Sequence, residues 1–457
     1  MKKRMTEGRI FPQLITFALP LVFGSILQLS YNLFDFIVLG WFSTDPVIEQ
    51  AAVGVANPIM SIFIAMISGL CLGIAIHSSN LFGKNDIPTL KRQFTSVLIV
   101  GAIFIIALSI LFILFLDPIM TISNVTDTTL KLQVISYLTI IGIGLIFSYL
   151  YNLYASVLRS IGDSISSLLF LFISCILNIS LNILFVVVLK KGVLGVAIST
   201  LIAQVMSAIS IIIYSKIKYK EIFYFKSKEY VIDKELLKIS IPYAISSALQ
   251  QVVLFVGKYI ISTQINNYGP ITIDAFASGT KIDDFVFAPA QNFAAATTIF
   301  FSQNLGAKQI KRAKKGFNYG FLLNMIYGAI ISVVIFLVKK PILNLFISSD
   351  ESLLESKQEI ITNAITYINI MCCLYLLPSF TNAMQSFFRG TGKVTIVFLS
   401  TFVQILSRVI FVIILLKVTN NPMQSTAFGT GIGWLFMIAF ELPILMVSIR
   451  KLKESEN

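Results

Sequence analysis

Arg159-Ser-Ile-Gly162-Asp163, set between two long apolar stretches, returns about 230 residues later as Arg389-Gly-Thr-Gly392-Lys393. Working outward, Ala197-Ile-Ser-Thr200 returns at the same offset as Ala427-Phe-Gly-Thr430. Toward the N-terminus, Pro118-Ile-Met answers Pro341-Ile-Leu, Gly83 answers Gly306, and Pro20 with Gln28 answers Pro242 with Gln250, about 222 residues apart. Each landmark is a residue that lipid tolerates poorly or only for a reason, and the offset holds over almost the whole chain. Two homologous helical bundles joined head to tail make up many secondary transporters, with the substrate path between them.

The composition demands a bilayer. Of 457 residues, 56% are hydrophobic and 12% charged, and the mean hydropathy is +0.86, too apolar for a soluble fold. A spanning helix needs about 20 mostly apolar residues. Twelve such stretches are read in the first half at 14–41, 52–79, 94–116, 133–157, 164–189 and 193–216, and in the second at 237–265, 272–302, 317–338, 358–387, 394–416 and 425–449. The fold class expected is an all-α membrane protein of twelve transmembrane helices in two pseudo-symmetric six-helix bundles. The one long polar break is rich in Lys, which gives an N-lobe at 1–217, a cytoplasmic linker at 218–235 and a C-lobe at 236–457.

A net charge of +13 invites nucleic acid, but its distribution points elsewhere. Of the 35 Lys and Arg, 25 lie on one side, counting Arg159 among the loop residues, and 7 on the other; Lys258, Lys281 and Arg408 fall inside spans. By the positive-inside rule both termini face the cytoplasm of a multi-pass protein of the inner or plasma membrane. The partners expected are membrane lipid and a small molecule, not nucleic acid, and the chain is expected to be a monomer. Cys71, Cys175, Cys372 and Cys373 all fall in spans, which argues against a disulfide framework. Met-Lys-Lys-Arg4 precedes a long apolar stretch without a small-residue cleavage site and reads as a retained helix. Asn124-Val-Thr126 fits a glycosylation sequon that reads as a chance match. Gly69-Leu-Cys-Leu-Gly73 and the cluster Gly429, Gly431 and Gly433 read as helix-packing surfaces.

The candidate chemistry lies in the polar residues of the spans. Gln28, Asn32 and Asp35, at i, i+4 and i+7, form one stripe, with Tyr31 beside it. A carboxylate at mid-membrane costs about 2.5–3.5 kcal/mol on insertion scales, so it is normally kept for ion or substrate handling; the alternative is a cap or pair near the outer interface. Asn178 and Asn182 form a second polar face, as do Thr200 and Gln204. Their oxygens are hard ligands suited to Na⁺, and interhelical hydrogen bonding is the plainer alternative. Pro20 and Pro242 each remove a helix hydrogen bond and are hinge candidates or static kinks. In the second half Lys281 and Asp284 are i, i+3 neighbours expected to neutralise each other, leaving Asp283 spare, with Lys258 able to partner either and Gln291 two turns on.

No phosphate-binding Gly-rich loop occurs, since Gly390-Thr-Gly-Lys393 lacks both spacing and hydroxyl residue, and the one histidine, His77, makes no zinc site.

Ala18-Leu-Pro20, Leu27-Gln-Leu-Ser-Tyr-Asn-Leu-Phe-Asp35, Ala51-Ala-Val-Gly54, Leu158-Arg-Ser-Ile-Gly-Asp163, Gly192-Val-Leu-Gly-Val-Ala-Ile-Ser-Thr200 and Ser302-Gln-Asn-Leu-Gly306 together make the chain resemble the multidrug and toxic compound extrusion (MATE) transporters over nearly its full length, closest to the bacterial DinF-like branch. The resemblance implies two six-helix bundles in a V that alternate between outward- and inward-facing states. It also implies efflux of cationic amphipathic compounds by antiport with Na⁺ or H⁺, without a cofactor. Asp35 looks like the family's first-helix carboxylate, and Asn178 and Thr200 match its cation-site positions, so that Asp35, Asn178 and Thr200 would hold Na⁺. The chain departs from the DinF-like pattern at Asn182, where that branch carries an Asp, which favours a single-cation or single-proton site. The patch Lys281-Ile-Asp283-Asp284 resembles one seen in relatives.

Two other readings set limits. A flippase for a lipid-linked or other anionic precursor would need Lys258, Lys281 and Arg408 to form a basic cavity. A membrane prenyl or acyl transferase would need clustered Asp for Mg²⁺ or a reactive His, and the chain offers little of either, so no enzyme is expected.

Overall fold

The computed structural model describes residues 5–43, 45–122, 127–226, 229, 231–346, 354–419 and 421–454. The N-terminal Met-Lys-Lys-Arg4, the sequon at 124–126, and the side chains of Tyr31 and Asn32 lie outside the described residues. Among the described residues the chain is helical, without strands. The first half holds α1 (Ile10–Phe42), α2 (Pro46–Gly83), α3 (Ile87–Leu114), α4 (Leu116–Ile122), α5 (Thr128–Ser160), α6 (Ser164–Asn182) and α7 (Gly192–Lys218). The short α8 (Lys220–Phe223) leads to α9 (Lys234–Ile265), α10 (Pro270–Gly306), α11 (Ile310–Phe346), α12 (Leu354–Leu374), α13 (Leu376–Gly390), α14 (Val394–Val418) and α15 (Pro422–Glu454).

Every expected span falls on a helix. Ten helices of the described residues are long and apolar enough to cross a membrane, and α12 with α13, bent by 46°, forms an eleventh. The bend lies where Tyr375 begins a new helix three residues before Pro378, whose ring cannot join the preceding ladder. The remaining expected span is α10, 37 residues long, which carries Asp274, Lys281, Asp283 and Asp284. These charges in its first half, with Pro289, Gln291 and Asn292 in its second, make it more polar than a plain apolar span.

The repeat is visible in the backbone. Gly162 and Gly392 both adopt positive φ, +90° and +77°, a conformation that costs a side chain energy but suits glycine after a helix. Asp163 N–H donates to Leu158 O at 2.9 Å, and Lys393 N–H to Phe388 O at 2.8 Å, so the same helix stop is built twice.

Two compact units divide the chain. The first comprises Met1–Glu7, Leu19–Val252 and Ser302–Lys308, and the second Gly8–Ala18, Val253–Phe301 and Gln309–Asn457. This differs from lobes cut at 217 and 236, and the packing gives the reason. A Cβ on Gly69 would come within 2.5 Å of Ala248 Cα, and one on Gly73 within 2.2 Å of Tyr243 O, so the start of α9 lies backbone to backbone on α2. His77 Nδ1 lies 2.9 Å from Ser240 Oγ, and Gln93 Nε2 donates to the same oxygen at 3.2 Å. The expected linker is likewise part of the first unit, because Ile222 and Phe223 are buried and Phe223 meets Phe94 and Tyr154. The end of α10 joins it too: a Cβ on Gly83 would meet Gln303 O at 2.1 Å and one on Gly306 would meet Asn80 O at 2.2 Å. Those two glycines are repeat partners and clasp each other's helices reciprocally.

The core of the first unit gathers Leu90, Phe94, Leu138, Tyr149, Leu153 and Val186, and that of the second gathers Ile261, Tyr367, Ile368, Met371, Tyr375 and Val412. In lipid such cores hold by close packing rather than by exclusion of water. In the second unit the glycines of α15 serve this end, since a Cβ on Gly429 would meet Val412 N at 2.9 Å and one on Gly433 would meet Gln404 O at 2.8 Å.

Candidate functional site

Asp35 lies in the second half of α1 and is buried. Asn182, the last residue of α6, donates from Nδ2 to Asp35 Oδ1 at 2.5 Å and lies 3.2 Å from Asn178 Oδ1. Asn178 Nδ2 in turn donates to Thr200 Oγ1 of α7 at 3.2 Å. Helix spacing explains the convergence: Asn178 and Asn182 are one turn apart on one face of α6. After Asn182 the chain passes into a π-helical segment, Ile183–Val188, a local widening often found at functional sites. The expected Asp35, Asn178, Asn182 and Thr200 are therefore one hydrogen-bonded cluster within the first unit.

Ser199, which sequence reasoning missed, donates to Asn182 Oδ1. With that oxygen engaged, the amide turns its N–H₂ toward the carboxylate. The Asn182 nitrogen bridges Asp35 Oδ1 and Asn178 Oδ1 as a small cation would, and a rotated amide would offer an oxygen in its place. The cluster thus contains a carboxylate, amide oxygens and a hydroxyl that are hard ligands for Na⁺, or a carboxylate that takes a proton.

A cavity of about 140 Å³ adjoins the cluster, with Asn178 and Thr200 in its wall. Gln28 and Gln204, both expected in the cleft, also line it, and so does Arg159. Arg159, read from sequence as a loop residue, belongs instead to the last turn of α5. Only its repetition as Arg389 signalled it.

The second unit corrects one expectation. Asp284 pairs with Lys258 of α9, at 2.8 and 2.9 Å, not with Lys281 on its own helix. A partner across the helix interface reaches both carboxylate oxygens, whereas Lys281 lies in the field of Asp274, two turns back. Asp283 is buried and accepts from Tyr367 Oη at 2.6 Å and Tyr375 Oη at 2.8 Å, within the field of Arg408. Lys258 is paired with Asp284, and Lys281 and Arg408 each lie in the field of a carboxylate, so these three do not form the basic cavity expected of a flippase of anionic precursors. Gln291 is exposed on α10. Pro20 and Pro242 lie inside continuous helices, and the division between the units cuts α1 between Ala18 and Leu19, beside Pro20.

Glu441 was missed because it reads as an isolated charge in a long span, and Arg389, read as a loop residue and repeat landmark, belongs instead to the last turn of α13. Glu441 is fully buried and accepts from Ser400 Oγ at 2.6 Å, and Arg389 Nη2 donates to Gln385 Oε1 at 3.1 Å.

The MatE family model matches residues 20–184 and 242–414, one match to each half of the repeat. The chain belongs to the MatE family, the MATE transporters. Among its relatives, a probable multidrug resistance protein, YoeA, of Bacillus subtilis is 23% identical over 77% of this chain and 76% of its own length. The multidrug export protein MepA of Staphylococcus aureus is 23% identical over 95% of this chain and 92% of its own. A crystal structure of a MATE in complex with MaL6 superimposes with a TM-score of 0.90 at 20% identity, covering 98% of each chain. The MATE chain described here therefore has the fold of these transporters and is a multi-pass membrane transporter, not an enzyme.

Proposed function

We propose that this MATE transporter exports cationic amphipathic small molecules by alternating access, driven by inward movement of Na⁺ or H⁺ through the Asp35 cluster. The observation that carries the reading is the buried Asp35 carboxylate, joined through Asn182 and Asn178 to Thr200 at the wall of a polar cavity. An ion that neutralises Asp35 in one state and leaves it in another supplies the differential binding that shifts two conformations. Pro20, fifteen residues before Asp35 on the same helix, is the hinge through which that change bends α1, and Pro242 is its counterpart on α9. Both termini face the cytoplasm in this reading, which the distribution of Lys and Arg supports, and the chain works as a monomer. The multidrug names of YoeA and MepA support a broad small-molecule range.

The test is ethidium efflux from proteoliposomes under separately imposed Na⁺ and pH gradients. One gradient should drive export and the other should not. Equal, gradient-independent leakage would defeat the reading.

A further inference from the structure

The two halves carry an arginine at the same point of the repeat and treat it differently. Arg389 lies in the field of Glu441, a fully buried carboxylate. Shifted by the offset that relates Arg159 to Arg389 and Thr200 to Thr430, Glu441 falls on Ile211, an apolar residue buried to 0% exposure. Arg159 therefore lacks the counter-charge that its repeat partner has. Its Nη2 donates to Ser156 Oγ at 2.7 Å, and among the described residues no carboxylate pairs with it.

What Arg159 does have is space. It lines the cavity of about 140 Å³ with Gln28, Ser148, Asn152 and Gln204, and no Asp or Glu contributes to that wall. Gln204 Oε1 is buried there without a hydrogen-bond partner, so its amide is not committed to the protein and can turn its N–H₂ inward. Arg159 is half-buried, and a guanidinium drawn out of water without a counter-ion is unfavourable. Its planar fork matches a carboxylate in two parallel hydrogen bonds.

We propose that this cavity is a subsite for an anionic group, which pairs with Arg159 while the neighbouring amides take its remaining lone pairs. The volume is close to the roughly 150 Å³ that accommodates benzene in an engineered cavity, so a benzoate-sized head fits. The group is either the carboxylate of a zwitterionic solute or a small inorganic anion such as chloride. The first source rests on the export reading; the second does not.

Binding to the purified full-length protein in detergent tests this without requiring transport. The probes are rhodamine 110, with a free carboxylate, and rhodamine 123, its methyl ester on the same ring system, followed by fluorescence polarisation. If the solute supplies the anion, rhodamine 110 binds at least about tenfold more tightly than its ester, the scale of one charge-assisted bond. Arg159→Gln then erases the preference, and Arg159→Lys keeps part of it. If chloride is the occupant, replacing chloride by gluconate lowers the thermal midpoint of the wild type but not of Arg159→Gln. Ile211 lies one turn beyond Ser207 of the cavity wall, so Ile211→Glu installs the internal carboxylate of the second half and should abolish whichever effect the wild type shows. That variant and the wild-type chloride comparison keep the test alive should Arg159→Gln fail to fold. The proposal is overturned if the wild type shows neither dye preference nor chloride dependence, or if Arg159→Gln and Ile211→Glu leave them unchanged. Failure of the export reading appears separately, as absent ethidium efflux with these binding results intact.

Discussion

Asp35 and Asp283 are both buried carboxylates on long helices, one in each compact unit, and they differ in what holds them. Asp35 is met by the amide of Asn182, whose neighbours are Asn178 and Ser199. Asp283 is met by two phenols, Tyr367 and Tyr375, with Arg408 close enough to supply positive charge. An amide carries a donor and an acceptor and can exchange one for the other by rotation, so its surroundings can pass from holding a bare carboxylate to holding a cation. A phenol pair offers chiefly donors to a carboxylate that also lies in the field of a guanidinium. The contrast separates a carboxylate free to exchange its partner from one whose partners are permanent, although both residue types and burial are the same.

The largest expected effect follows from this difference. Asp35→Asn should abolish gradient-driven efflux, a loss of about 100-fold, near the upper range of a coupling free energy between two sites. Asp283→Asn should leave the gradient dependence within a few-fold and lower the thermal midpoint instead. Efflux from proteoliposomes at matched protein incorporation checks both. Equal loss of coupling in the two variants would dissolve the distinction between the units.

A smaller effect probes the phenols. Tyr367→Phe and Tyr375→Phe each remove one hydroxyl donor to Asp283 and should each destabilise the protein by about 1.5–3 kcal/mol, the range for hydrogen bonds to charged groups. The double variant should cost less than the sum, because the two donors share one carboxylate. Unfolding in detergent reads the difference. Strict additivity would mean that the two phenols act independently of each other, against a shared carboxylate.

The sequence made the helices and the repeat legible for a reason that belongs to lipid. Backbone groups in a bilayer must be satisfied within the segment, so apolar length alone marks a span, and every expected stretch became helix. Side-chain partners were less legible. Spacing along one helix brought Asn178 and Asn182 together correctly, but the same rule paired Lys281 with Asp284, and the structure instead reaches across to Lys258. Intrahelical neighbours are written in the sequence, whereas partners on another helix depend on rotation and register. Ser199 was invisible because it serves Asn182 rather than the carboxylate, and Glu441 because its partner Ser400 lies on a different helix. The compact units were less legible in the same way: a Lys-rich polar break marks a loop, but the backbone contacts at Gly69, Gly73 and Gly83 assign the flanking helices to a unit.

The smallest expected effect concerns Lys258 and Asp284, whose side chains are 40% and 45% exposed. If water fills that exposed side, the pair should behave as a surface ion pair and contribute about 1 kcal/mol or less. A double-mutant cycle with Lys258→Met and Asp284→Asn measures the coupling, and salt should weaken it further. If hydrocarbon lies there instead, removing one partner strands a charge in a medium of low dielectric, and each single variant should cost about 3–5 kcal/mol while the double variant recovers most of it. The cycle therefore reports the medium beside α10 as well as the strength of the bond. A water-facing result would group Asp284 with solvated charges and leave Asp283 as the buried acid of the α10 pair; a large, salt-insensitive coupling would place both acids of α10 in the permanent, charge-balanced class from which Asp35 is distinguished.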